Sequence, residues 1–61
     1  MIFVTKDYGP YEGECGYKFF PDIESAKIEM VEDNQAFYAY HQDGTVERFS
    51  DTGELLNRYI V

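Results

Sequence analysis

The side chains best suited to covalent, acid–base or metal chemistry are a single cysteine, a single histidine and twelve carboxylates. Nucleophilic catalysis needs a nucleophile, a base and a third group that orients the base. Cys15 and His41 have no third residue at a spacing that would complete such a set. Cys15 lies between Glu14 and Gly16, acidic rather than activating neighbours, and is expected to be a small, semi-buried hydrophobe. His41 precedes Asp43-Gly44 on a strand pattern and reads as a solvent-facing or edge histidine. For a metal, Asp43, Glu47 and His41 could gather near one turn, and Asp51 and Glu54 near the next. Neither group has the spacing of a calcium loop, and there is no Cys or His framework for zinc. These are solvated turn acids by expectation, with no metal and no cofactor. A chain this short also has little material to wall a substrate pocket. A non-enzymatic protein is expected.

Charge narrows the remaining classes. Twelve Asp and Glu face five Lys and Arg, a formal net charge of -7 on 61 residues. Six Tyr, five Phe and a hydrophobic content of 44% set the chain apart from a solvated acidic tail. It reads as one folded domain that maintains a strong negative field against self-repulsion. Lys6, Lys18, Lys27, Arg48 and Arg58 are scattered singly, whereas phosphate contact needs clustered bases. Direct nucleic-acid binding is therefore disfavoured, and so is an anionic membrane surface. No apolar run approaches the roughly 20 residues of a membrane span. With a lone cysteine and no apolar leader, the expected compartment is the cytoplasm.

The positioning elements follow from pattern. Met1 to Lys6 is β-branched and aromatic and predicts a strand; Asp7 to Gly13 is a loop; Glu14 to Phe20 predicts a second strand pairing back on the first. Pro21 stops that strand, and Asp22 can cap a helix from Ile23 to about Glu32, ended by Asp33-Asn34. Ile23, Ala26 and Met30 form its apolar stripe, broadened by Ile28 and Val31. Gln35 to Gln42 alternates as a strand, Asp43-Gly44 predicts a type I′ hairpin, and Thr45 to Phe49 returns. Ser50 to Gly53 turns again into a last strand, Glu54 to Val61. The segment Asp43 to Phe49 is echoed by Thr52 to Tyr59, as turn Gly, polar residue, aliphatic, Arg and aromatic. The expected fold is α+β, in the order β-β-α-β-β-β, an antiparallel sheet with one helix on one face.

The strands carry apolar residues on both faces. Ile2 and Val4 oppose Met1 and Phe3, and Tyr38 and Tyr40 oppose Phe37. Such a sheet curls into a small barrel, dimerises or presents a face to something else.

A negative surface favours a basic protein partner, and proteins that handle DNA or RNA own basic grooves. The candidate contact residues are Glu24, Glu29, Glu32 and Asp33 on the helix, and Tyr8, Tyr11, Glu12 and Glu14 in the loop that follows the first strand. Tyr supplies stiff contact area with a polar tip, and the loop's carboxylates would seek Arg. Tyr38 and Tyr40 are the second aromatic candidates. In size, charge and single-domain character the chain resembles phage-encoded anti-host and anti-defence proteins, including CRISPR inhibitors and nucleic-acid mimics. That resemblance carries no motif and no residue. It implies a small acidic inhibitor or modulator of a basic nucleic-acid-handling protein, acting in the host cytoplasm. The alternative is a self-associating structural or regulatory homodimer whose aromatic sheet face is buried on its twin.

Overall fold

A computed structural model describes all 61 residues. The chain forms β1 (Ile2–Asp7), β2 (Glu14–Phe20), α1 (Ile23–Glu32), β3 (Phe37–Tyr40), β4 (Thr45–Phe49) and β5 (Leu55–Ile60). All strand pairs are antiparallel, in the sheet order β2-β1-β3-β4-β5. Because β2 and β3 both run against β1, they are parallel to each other, and α1 is the crossover between them. The α+β fold with a single helix is as expected. β2 and β5 are the two edges and do not pair, so the sheet stays open and does not curl into a barrel.

The helix begins where Asp22 accepts the Ser25 backbone N–H at 2.8 Å, satisfying one of its free N-terminal donors. It ends at Asn34, which takes a left-handed φ of 53° while Gln35 N–H donates back to the Met30 carbonyl at 2.9 Å. Ala26 and Met30 are fully buried against the sheet. With Ile2, Val4, Phe20, Phe37, Ala39 and Phe49 they make the main core, and Phe37 stacks on Phe49 at 4.8 Å between ring centroids. Ile28 does not join this stripe. It is 68% exposed on the outer face of the helix, which buries a narrower strip than the sequence suggests.

A register shift between Val4 and Thr5 leaves Tyr17 as an extra residue in β2. Tyr17 packs against the core, and its hydroxyl bonds to Glu29 on the helix. The two C-terminal turns are copies of one another. In one, Gly44 N–H donates to His41 O and His41 N–H to Thr45 O; in the other, Gly53 N–H donates to Ser50 O and Ser50 N–H to Glu54 O. Gly44 and Gly53 have φ of 92° and 83°, and Asp43 does not share the positive φ. The hairpin is therefore not type I′, which needs positive φ at both central residues. A single left-handed glycine closes each turn, and the sequence echo is a repeat of turn geometry.

Phe37 is wholly buried at the centre of the core. Phe37→Ala is expected to cost about 3–5 kcal/mol, comparable to the entire stability of so small a domain, and chemical denaturation measures it. The Ser25 N–H holds the Asp22 carboxyl below its ordinary value of 3.8. A depressed carboxyl stabilises the fold above the unfolded pKa and ceases to do so as pH falls through the folded one. Asp22→Ala should therefore lower Tm at neutral pH, and the difference from the parent should shrink as acid protonates the cap.

Candidate functional site

All six structural elements have a terminus at one end of the molecule. β1 and β4 end there, β2, β3 and β5 begin there, and α1 delivers its C-terminus to the same place. Asp7 N–H donates to Ala36 O at 2.8 Å, and Gln35 Nε2 to Asp7 O at 3.1 Å, tying the first loop to the segment after the helix. This pole carries Glu12 from the loop, Glu32 and Asp33 from the helix end, and Asp51 and Glu54 from the last turn. None of these has a cation within ion-pairing distance. Only Asp7, Glu29 and Glu47 do, among the twelve carboxylates. The helix macrodipole adds partial negative charge at its C-terminus, where basic residues are the stabilising choice. The last turn of α1 has none. Glu32 and Asp33 thus stand where their charge opposes the fold and strengthens the local field.

The loop between β1 and β2 presents an aromatic beside that charge. Gly9 N–H donates to Asp7 Oδ1 at 2.9 Å, Tyr8 N–H to Gly13 O at 2.8 Å and Gly13 N–H to Gly9 O at 2.8 Å. The loop is closed by its own hydrogen bonds, yet Tyr11 at its tip is 100% exposed. Tyr11 therefore serves no core, and Tyr8 is half-exposed.

The second feature is the sheet face away from the helix. Antiparallel partners share a face, so register defines a row across all five strands: Phe19, Phe3, Tyr40, Val46 and Tyr59. Val46 is buried beneath this row, outside the helix-side core. Beside it run Gly16, Thr5, Tyr38, Arg48 and Asn57. A side chain at Gly16 would approach the Phe3 ring to 3.3 Å, so glycine here makes room for the aromatic. Glu14 accepts hydrogen bonds from the Tyr40 hydroxyl at 2.5 and 2.8 Å and from Thr5 Oγ1 at 2.6 Å. Arg48 Nε donates to Asp7 Oδ2 at 2.9 Å, with its guanidinium over the Tyr38 ring. Burial, and then the Glu14 carboxylate, push the Tyr40 phenol far above its ordinary value of 10.0.

The expected contact residues are thus divided. Tyr8, Tyr11 and Glu12 lie in the loop after β1, and Glu32 and Asp33 at the C-terminal end of α1, all at the same end of the sheet. Glu14, Tyr38 and Tyr40 belong to the open face, where Glu14 is engaged. Glu29 accepts from the Tyr17 hydroxyl and binds Lys18 Nζ at 3.0 Å, and the Tyr17 hydrogen bond, then Lys18, hold its carboxyl below the usual range. Glu24 lies in the first turn, at the far end of the helix. An open groove on the outer face of the helix is lined by Ser25, Ile28, Glu29, Glu32 and Asp33. Sequence reasoning missed Ile28 as a surface residue and missed the Asp7–Arg48 pair, which only the strand register brings together.

His41 Nε2 meets Glu47 Oε1 at 2.5 Å, while the Asp43 carboxylate turns to the Thr45 N–H at 2.9 Å. Cys15 is exposed, not semi-buried, because edge strand β2 gives it no covering neighbour. It stands near the acidic pole, with His41 at the opposite end of the sheet. No helix is long and apolar enough to cross a membrane. Comparison with protein-family models, curated proteins and solved structures finds no match.

A titration of tyrosinate absorbance should show Tyr17, Tyr38 and Tyr40 ionising above the ordinary 10.0, Tyr40 last of the three, and Tyr40→Phe should remove that last component. A raised phenol stabilises the fold below the unfolded pKa and ceases to do so as pH climbs through the folded one. Parent and Tyr40→Phe should therefore diverge in Tm at neutral pH and converge in strong alkali.

Proposed function

We propose that this protein is a non-enzymatic acidic module that binds and modulates a basic, nucleic-acid-handling protein, as phage-type anti-defence proteins and nucleic-acid mimics do. The observation that carries this reading is the acidic pole. Glu12, Glu32, Asp33, Asp51 and Glu54 have no ion-pair partner and lie toward one end of the sheet, and Glu32 and Asp33 sit at the negative end of the helix dipole, a placement that does not help the fold. Residues that break a local stability rule without compensation are where function is to be sought. Their field draws a positively charged groove and repels nucleic acid from the same place.

Two neighbouring residues supply what charge alone lacks. Tyr11, wholly exposed at the tip of a loop closed by its own hydrogen bonds, is an aromatic anchor for a pocket or an Arg side chain. Ile28 lies one helical turn before Glu32 and offers apolar contact beside the carboxylates. Modulation follows by occupation: carboxylates bound to the partner's Arg and Lys exclude phosphates from them.

The test is affinity capture from the native host lysate, washed at low and then high salt, with wild type beside a Glu32→Lys/Asp33→Lys variant. The wild type should retain a basic DNA- or RNA-binding protein that high salt releases, and the variant should lose most of it. Tyr11→Ala should speed dissociation several-fold with little change in on-rate or Tm. Recovery of the protein alone, or equal capture by the charge-reversed variant, contradicts the reading.

A further inference from the structure

A surface independent of the acidic pole points to a second partner. We propose that the open face of the sheet is the contact surface for a second copy of this chain, forming a two-fold, face-to-face sandwich. Two residues of the cross-strand row, Phe19 on β2 and Tyr59 on β5, are 62% and 43% exposed, although aromatics on a finished domain surface are usually covered. They sit on the two edge strands, with Phe3, Tyr40 and Val46 between them.

Charge selects the occupant. The open face carries Asp7, Arg48 and Glu14. Asp7 and Arg48 cancel as an ion pair, which leaves Glu14, one unit of the formal -7, and two hydroxyls already hold its carboxylate. The unpaired acids lie in the loops, the turns and the helix, away from this face. A basic partner would gain little here. A second copy can approach here without setting acid against acid.

Geometry and size agree. A two-fold axis parallel to the strands, midway between the two faces and centred over β3, the central strand, lays β2 of one copy over β5 of the other. Phe19 then faces Tyr59 of the partner subunit, Phe3 faces the smaller Val46 of the partner subunit, and Tyr40 meets its own copy. Five strands at ~4.8 Å spacing and ~20 Å length give a face of about 500 Å². Two copies would bury about 1,000 Å², the lower bound of a specific interface. Paired faces about 10 Å apart are the ordinary packing of a β-sandwich. A 61-residue chain with ten buried residues gains the second core that its single helix cannot supply.

The test is sedimentation equilibrium from about 5 to about 500 μM protein, at about 50 and about 500 mM salt. A dimer is expected, and it should tighten as salt screens the repulsion between two copies of charge -7. Binding of a basic partner at the acidic pole weakens with salt, so the two proposals fail separately. Phe19→Lys and Tyr59→Lys should each weaken the dimer at least tenfold, and Glu32→Lys should not weaken it. Should a lysine variant fail to fold, isotope-filtered NMR on mixed labelled and unlabelled wild type should show contacts between Phe19 and the partner's Tyr59. A monomer at every concentration and salt, a dimer that survives both folded substitutions, or a dimer without those contacts overturns the proposal.

Discussion

One helix can cover only one face of a five-stranded sheet, and the rest of this molecule follows from that limit. α1 lays Ala26 and Met30 over β1, β3 and the ends of β2 and β4, where the core residues converge. β5 receives no cover, and all six of its residues are exposed. The opposite face has no helix. It is sealed in part by its own side chains, with Val46 buried beneath the aromatic row and Thr5 beneath the hydrogen bonds of Glu14. Charges on that face are turned inward onto partners in the same face. The result is an uncovered surface that is aromatic and nearly neutral on a strongly acidic protein.

The same limit sorts the carboxylates. Those that help the fold are bound: Asp22 at the helix start, Asp43 at its turn, Glu29 on Lys18 and Tyr17, and Asp7 on Arg48. Those that do not are concentrated where β1, β4 and the helix all end. Self-repulsion there is tolerable because loops and a helix terminus let the charges spread into solvent, but nothing in the fold requires them. The carboxylates that support the fold and those that do not occupy different parts of the molecule. A negative pole and a neutral flat face suit two different kinds of contact, one strengthened by low salt and one by high salt.

Much of the fold was legible because its signals are local. Asp22 ahead of Ser25, Pro21 after Phe20, and glycines at the turns mark element ends through the backbone alone. The exceptions are instructive. Asp43-Gly44 carries a type I′ signal, yet the Asp43 side chain accepts the Thr45 N–H and holds a turn in which Gly44 alone is left-handed. Ile28 is apolar enough to be read into the helical stripe, but two residues from both Ala26 and Met30 it points to the opposite side of α1, away from the sheet. The acidic and tyrosine-rich residues could be named one by one, whereas their grouping could not. Glu12 and Glu32 lie at the same end of the sheet only because the crossover returns the chain beside β1, and Phe19 and Tyr59 share a face only through three intervening strands. Register is a tertiary property, and a bulge such as that at Tyr17 shifts it without any mark in composition.

The central claim is that stability is concentrated beneath the helix and declines toward β5. Backbone amide exchange on the dilute monomer, followed residue by residue by NMR, measures this directly. The slowest exchange is expected in β1 and β3, which are paired on both sides and contribute the fully buried Val4, Phe37 and Ala39, and the fastest strand exchange in β5. Protection in β5 equal to that in β1 would contradict it, because an edge strand with every residue exposed could then not be the least supported part of the sheet.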